Sequence, residues 1–169
     1  MPLRPSRFKL GEEIWLHGNP MLVAGRLQFE SPDAKVTTRY ALTDAAGTSQ
    51  LLEEEAGYRF TLLRPFPPPQ AAGNTVSVMG EKYTLGAVRR LKVTGTEGRI
   101  AGGAGTTLLS GLFQGNMGAL LREMVPGAPA RSFYLVKPVR PNEVLGAAER
   151  AALLEAERLA AAQRAESED

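Results

Sequence analysis

The chain has 169 residues, is 43% hydrophobic, carries a net charge of +2 and contains no cysteine. That length allows one or two domains with a real core. The missing cysteine excludes a disulfide framework and thiolate chemistry, and fits a reducing, cytoplasmic setting. Charge is uneven: residues 142–169 hold seven acidic and three basic side chains, the remainder 17 basic and 11 acidic. A basic body with an acidic tail suits an anionic partner, a tail that folds back, or plain solubility.

In chain order, Met1 to Arg7 is basic with no apolar run behind it, so a loose arm and no signal peptide are expected. Glu13 to Leu16 and Met21 to Phe29 alternate or run apolar, as half-buried strands do, with a turn at Gly18-Asn19-Pro20. After turn chemistry at Ser31-Pro32-Asp33, Val36 to Thr43 is rich in β-branched residues and predicts a third strand. Ser49 to Leu52 pairs back, and Tyr58 to Leu63 makes a fifth strand. Pro65-Phe66-Pro67-Pro68-Pro69 should stop it, because proline lacks the ladder donor, leaving 65–74 as a stiff linker.

Further strands are expected at Thr75–Met79, at Lys82–Val88 continued by Arg89–Val93, and at Ser132–Pro138. Between them Ile100 to Leu121 is uncharged over 22 residues, six of them glycine. This stretch reads as an excursion packed on the core with a short helix over 116–124, as a membrane or partner contact, or as an anion cradle. It is too polar to span a bilayer, and Gly105-Thr106-Thr107 lacks a phosphate-loop lysine. Asn142 is a helix N-cap by residue type, and the alanine-, glutamate- and arginine-rich segment from Val144 to about Ala165 predicts a helix. Its apolar stripe is thin: Leu145, Ala148, Ala152 and Leu159, widened by Leu153, Leu154 and Ala156.

The chain matches itself at an offset of about 62. Ile14 falls on Val76, His17 on Met79, Met21 on Tyr83, Val23 on Leu85 and Phe29 on Leu91. A second block matches at about 73, with Phe60 on Phe133 and Pro65 on Pro138. A duplicated unit with an insertion in the second copy explains both offsets. The expected fold is mainly β: two tandem related small barrel- or sandwich-like units and a C-terminal helix. The divisions are 1–69, 70–141 with a Gly-rich insertion at 98–118, and 142–169.

Catalytic chemistry is sparse. The single histidine, His17, lies in a turn, and no nucleophile elbow or dinucleotide fingerprint accompanies it. With one histidine and no cysteine, a zinc site would be carboxylate-rich. Glu53-Glu54-Glu55 reads as a solvated charge run whose neighbours point different ways. No metal, cofactor or catalytic residue is expected. Arg89, Arg90, Lys92 and Arg99 form the candidate anion-binding set, with Tyr83 nearby, as in small barrels that bind single strands. Leu108, Leu109, Leu112, Phe113, Leu145, Leu153 and Leu159 are the candidate partner-binding residues.

The opening Leu10-Gly11-Glu12, the run Val23 to Phe29, Arg39-Tyr40-Ala41-Leu42-Thr43-Asp44 and Tyr58 to Leu62 together resemble a bacterial family, domain of unknown function number four-one-seven-eight. The resemblance covers roughly residues 10–66, and the second half shares it through the repeat, best at Gly80-Glu81-Lys82-Tyr83. It implies a bacterial β-domain, often encoded near envelope-related genes, and no catalytic residues. The leading expectation is a non-enzymatic binding or adaptor module that acts with a protein partner or as a homo-oligomer, without a transmembrane segment. The alternatives are a basic barrel for nucleic acid, a peripheral membrane contact, and an enzyme whose site uses perturbed carboxylates between the halves.

Overall fold

Alternating sequence becomes strand almost throughout. The computed structural model describes residues 3–55, 59–128 and 130–168. Its strands are β1 (Glu13–Leu16), β2 (Asn19–Glu30), β3 (Val36–Thr43), β4 (Ser49–Glu55), β5 (Arg59–Phe66), β6 (Gln70–Ala72), β7 (Thr75–Val78), β8 (Glu81–Gly98), β9 (Thr107–Gly115), β10 (Gly118–Met124), β11 (Arg131–Val139) and β12 (Val144–Leu145). A 3-10 turn at Pro141–Glu143 precedes β12, and one helix follows it, α1 (Ala147–Ser167). Residues 1, 2, 56–58, 129 and 169 lie outside the description, Tyr58 of the expected fifth strand among them.

All neighbours are antiparallel. Eight strands, in the order β2-β3-β4-β5-β11-β10-β9-β8, close into one barrel when β8 returns to β2. Two seams join the halves of the chain. One pairs β5 with β11, from Phe60↔Val139 to Phe66↔Phe133; the other pairs β2 with β8, from Gly25↔Gly98 to Glu30↔Lys92. Two tandem related five-stranded units, packed together or sharing a sheet, are the expectation; the structure has one closed barrel to which each half of the chain supplies four strands. The physical reason lies in the edges. Four strands alone leave two edges of unpaired amides, and joining edge to edge removes all of them.

The first parts of β2 and β8 extend beyond the seam and carry short hairpins. β1 pairs with β2 at Leu16↔Asn19 through Glu13↔Leu22, and β7 pairs with β8 at Val78↔Glu81 through Thr75↔Thr84. Both hairpins have two-residue turns with positive φ at each centre: His17 (49°) and Gly18 (79°), Met79 (51°) and Gly80 (79°). That geometry matches the strand twist, so His17 is a turn residue. Its Nδ1 lies 3.2 Å from Glu143 Oε2.

The described residues form three hydrophobic clusters. One lies inside the barrel, formed by Leu27, Phe29, Leu91, Val93 and Leu108 with Ile100 against it. A second lies outside, where Ile14, Met21, Val23 and Phe60 pack with Phe8, Tyr40 and Val144. The third, also outside, gathers Val76, Tyr83, Phe113, Leu120 and Phe133, with Leu85 beside them. The residues matched by the sequence offset thus fall in corresponding places, and Phe29 and Leu91 share the interior.

Several expectations change. Pro65 does not stop β5, which runs to Phe66 with Pro65 opposite Tyr134, beyond the β4 pairing that ends at Leu63; β6 lies within the expected linker 65–74. The first turn is His17-Gly18, with Asn19 and Pro20 already in β2. The arm is anchored from Arg4 onward: its N–H donates to Gln28 Oε1 at 2.7 Å, its carbonyl accepts from Gln28 Nε2 at 2.8 Å, and Phe8 is 1% exposed. The uncharged stretch is mostly β9, a turn and β10, with no helix over 116–124. Its alternate residues face the lumen or the outer cluster. The helix begins at Ala147 rather than Val144, because Val144 and Leu145 pair with Leu16 and Trp15. Asn142 sits in the 3-10 turn, and Gly146 takes the N-cap position. The glutamate run is not a solvated face; its alternation sends Glu53 inward, while Glu54 accepts from the Tyr40 hydroxyl outside the barrel.

Candidate functional site

The lumen is crossed by an ionic septum. Arg39 on β3 faces Glu53, its directly opposite partner on β4. Arg39 Nε and Nη2 donate to Glu53 Oε2 at 2.9 and 2.6 Å. On the far wall Glu123 of β10 accepts from Nη1 at 2.8 Å and from Nη2 as well. β3 and β10 stand opposite each other in the eight-strand order, so the bonds span the barrel. Arg39, Glu53 and Glu123 are 4, 8 and 7% exposed, and the guanidinium lies 5.3 Å from the Phe29 ring centre.

A guanidinium suits this place because its planar fork meets two carboxylates at once. Burial disfavours the Arg39 charge, but attraction from Glu53 and Glu123 outweighs it and holds the group firmly protonated. Two carboxylates against one cation leave an excess negative charge. Burial pushes the Glu53 carboxyl above its ordinary range, more than the neighbouring Arg39 lowers it, and Glu123 adds to the rise. Tyr134 is raised by burial first and by Glu123 second.

Space remains on both sides of the septum. The upper cavity, about 500 Å³, is walled by Phe29, Leu63, Leu91, Leu112, Leu121 and Val136, with Glu53, Ser110 and Gln114 as polar points. The lower cavity, about 360 Å³, is lined by Leu51, Ile100, Leu108, Met124 and Tyr134 together with Glu123. Arg39 lines both. The upper cavity adjoins a wider mouth of about 750 Å³ that shares Phe29, Glu55 and Arg89 and adds Arg4, Lys35 and Arg59. Volumes of this size, with apolar walls and few polar groups, are typical of small-molecule sites. Eight strands are enough to enclose one small ligand.

The residues singled out from sequence are dispersed. Arg89 points into the upper mouth. Arg90 and Lys92 follow it on β8 at odd offsets from Leu91, which alternation places on the outer wall, and Arg99 sits past the end of β8 with its N–H on Ala24 O at 2.8 Å. These four cations share no groove. Leu108 and Phe113 are 8 and 0% exposed and serve the protein's own core, while Leu112 lines the upper cavity and Leu109 is half-buried. Leu145 lies in β12; Leu153 and Leu159 are exposed on α1. Arg39, Glu53 and Glu123 were missed as a set. The available signal was charge at strand centres, in phase with lumen residues.

Among the described residues, no group of three or more His, Asp or Glu side chains is placed to hold a metal ion, and no helix is long and apolar enough to cross a membrane. No protein-family model matches the sequence significantly, nor does any curated protein or solved structure.

Proposed function

We propose that the protein is a non-enzymatic binding module whose barrel holds a small organic molecule. One observation carries this: the lumen of the closed barrel is unfilled on both sides of Arg39, with about 500 and 360 Å³ of space. Packed interiors rarely leave voids larger than a water molecule. Both septum carboxylates are committed to Arg39, which supports structural ion pairing over acid–base chemistry. The test is titration with the fluorescent amphipath ANS under native conditions. Saturable binding that Ser110→Phe or Ala128→Phe abolishes supports the reading, since each fills one cavity. Binding indifferent to both fillers, or no binding, overturns it.

A second reading, an adaptor acting through α1, is favoured by the helix having no buried residue, with Leu153, Leu154 and Leu159 nearly half exposed. Self-association lost in a chain ending at Ala151, read by sedimentation, would support it. The nucleic-acid alternative loses its footing with the dispersal of Arg89, Arg90, Lys92 and Arg99. Descent of the two halves from one unit is part of the proposal, supported by the matching hairpins and clusters. The resemblance of residues 10–66 to the bacterial family assigns no residue a role.

A further inference from the structure

The two ends of the lumen differ in charge, and the difference selects a ligand. Resting on the small-molecule reading above, we infer that the upper cavity takes an anionic amphipath. Its apolar chain or ring lies above Arg39, and its carboxylate, sulfonate or phosphate head lies at the mouth between Arg59 and Arg89.

The walls come first. Phe29, Leu63, Leu91, Leu112, Leu121 and Val136 offer an apolar channel, and burying a ligand's apolar surface there is favourable at about 25 cal/mol per Å². The rim follows. Arg4, Lys35, Arg59 and Arg89 line the mouth against Asp33 and Glu55. Lys35 lies 3.6 Å from Asp33, whereas among the described residues Arg4, Arg59 and Arg89 are in no ion pair. Three cations face Glu55 at the mouth and Glu53, which shares the upper cavity with Arg89, and so leave a positive excess around an apolar opening.

The floor sets the direction of entry. Arg39 has four of its five N–H donors engaged by Glu53 and Glu123, and those two carboxylates already match its charge, so it is a poor seat for an incoming anion. Glu53 beside it is a carboxyl group and brings no cation to the floor. An anionic head therefore stays at the rim and the tail goes down. The lower cavity lacks this asymmetry, because among the described residues Arg39 is its only lining cation and Glu123 lies beside it.

Calorimetric titration below the micelle threshold separates the ideas, using three ten-carbon probes: decanoate, decanol and decyltrimethylammonium. Decanoate should bind at one site, at least tenfold tighter than the other two. The Arg59→Ala/Arg89→Ala variant should lose that tenfold while keeping decanol binding. Raising salt on the wild-type chain should erode decanoate binding selectively, a readout that needs no variant. Equal binding of all three probes, insensitive to salt and to the arginine changes, overturns the anionic inference but leaves the small-molecule reading standing. No binding of any probe overturns both.

Discussion

At the scale of single residues, Arg39 is the most constrained side chain. Removing one partner from a buried ion pair typically costs about 3–5 kcal/mol, because the remaining charge is left uncompensated. Arg39→Met should therefore destabilise the fold by roughly that amount in denaturant titration; a loss under about 1 kcal/mol would mean the lumen hydrates the carboxylates. Glu53 titrates in the opposite sense to a usual paired carboxylate. Burial raises its folded-state pKa above the ordinary 4.5, so the native protein holds that proton more tightly than the unfolded chain. The stability this supplies is complete below the ordinary value and is lost as pH rises through the folded-state value. Glu53→Gln keeps an acceptor for Arg39 and has no proton to release. Its stability should stay flatter than wild type across that rise, and parallel curves would refute the assignment.

At the scale of elements, the β2–β8 seam depends on glycine. A Cβ on Gly25 would lie 2.3 Å from Arg99 O, and one on Gly98 (φ 70°) would lie 2.5 Å from Ala24 O. Overpacking of this kind commonly costs about 1–3 kcal/mol, so Gly25→Ala should lower the thermal midpoint by several degrees in a calorimetric scan. The helix behaves differently. Its first turn is tied down by Arg7–Glu149 at 2.5 Å and by Arg150 over the Trp15 ring at 4.7 Å, while no residue of it is buried. A chain ending at Ala151 should unfold within about 0.5 kcal/mol of the full protein, as expected for surface changes. These elements also mark what the sequence disclosed. Period-two runs announced the strands, and the His17/Met79 match announced both hairpins. The helix start was displaced because a tertiary pairing, Val144 and Leu145 on β1, overrode local helix propensity. The arm looked loose because nothing local shows that Phe8 fills the outer cluster. Missing charge over 107–121 resembled a loop, yet it reflects β9 and β10, which bury residues on both faces; Ile100 to Thr106, with three of the six glycines, is a loop as it looked.

At the scale of the whole molecule, the self-match hinted at two related sets of strands. Whether such sets close separately or together depends on edges that meet only in space. The site was hidden for the same reason: Arg39 and Glu123 are 84 residues apart and meet across the lumen. Barrel closure carries a kinetic corollary. Its two seams join positions 62 to 79 residues apart in the chain, and contacts of such high order place folding in the slow, millisecond-to-second class. No seam can form until Lys92 and the residues after it are present. A chain stopped at Pro69 would bare the free edges of β2 and β5 and, as exposed edges do, recruit another chain. Sedimentation of that fragment should find dimers or larger species, and a stable monomer would count against the edge argument. Synthesis of the second half thus acts as the first half's own chaperone, capping adhesive edges before another molecule reaches them.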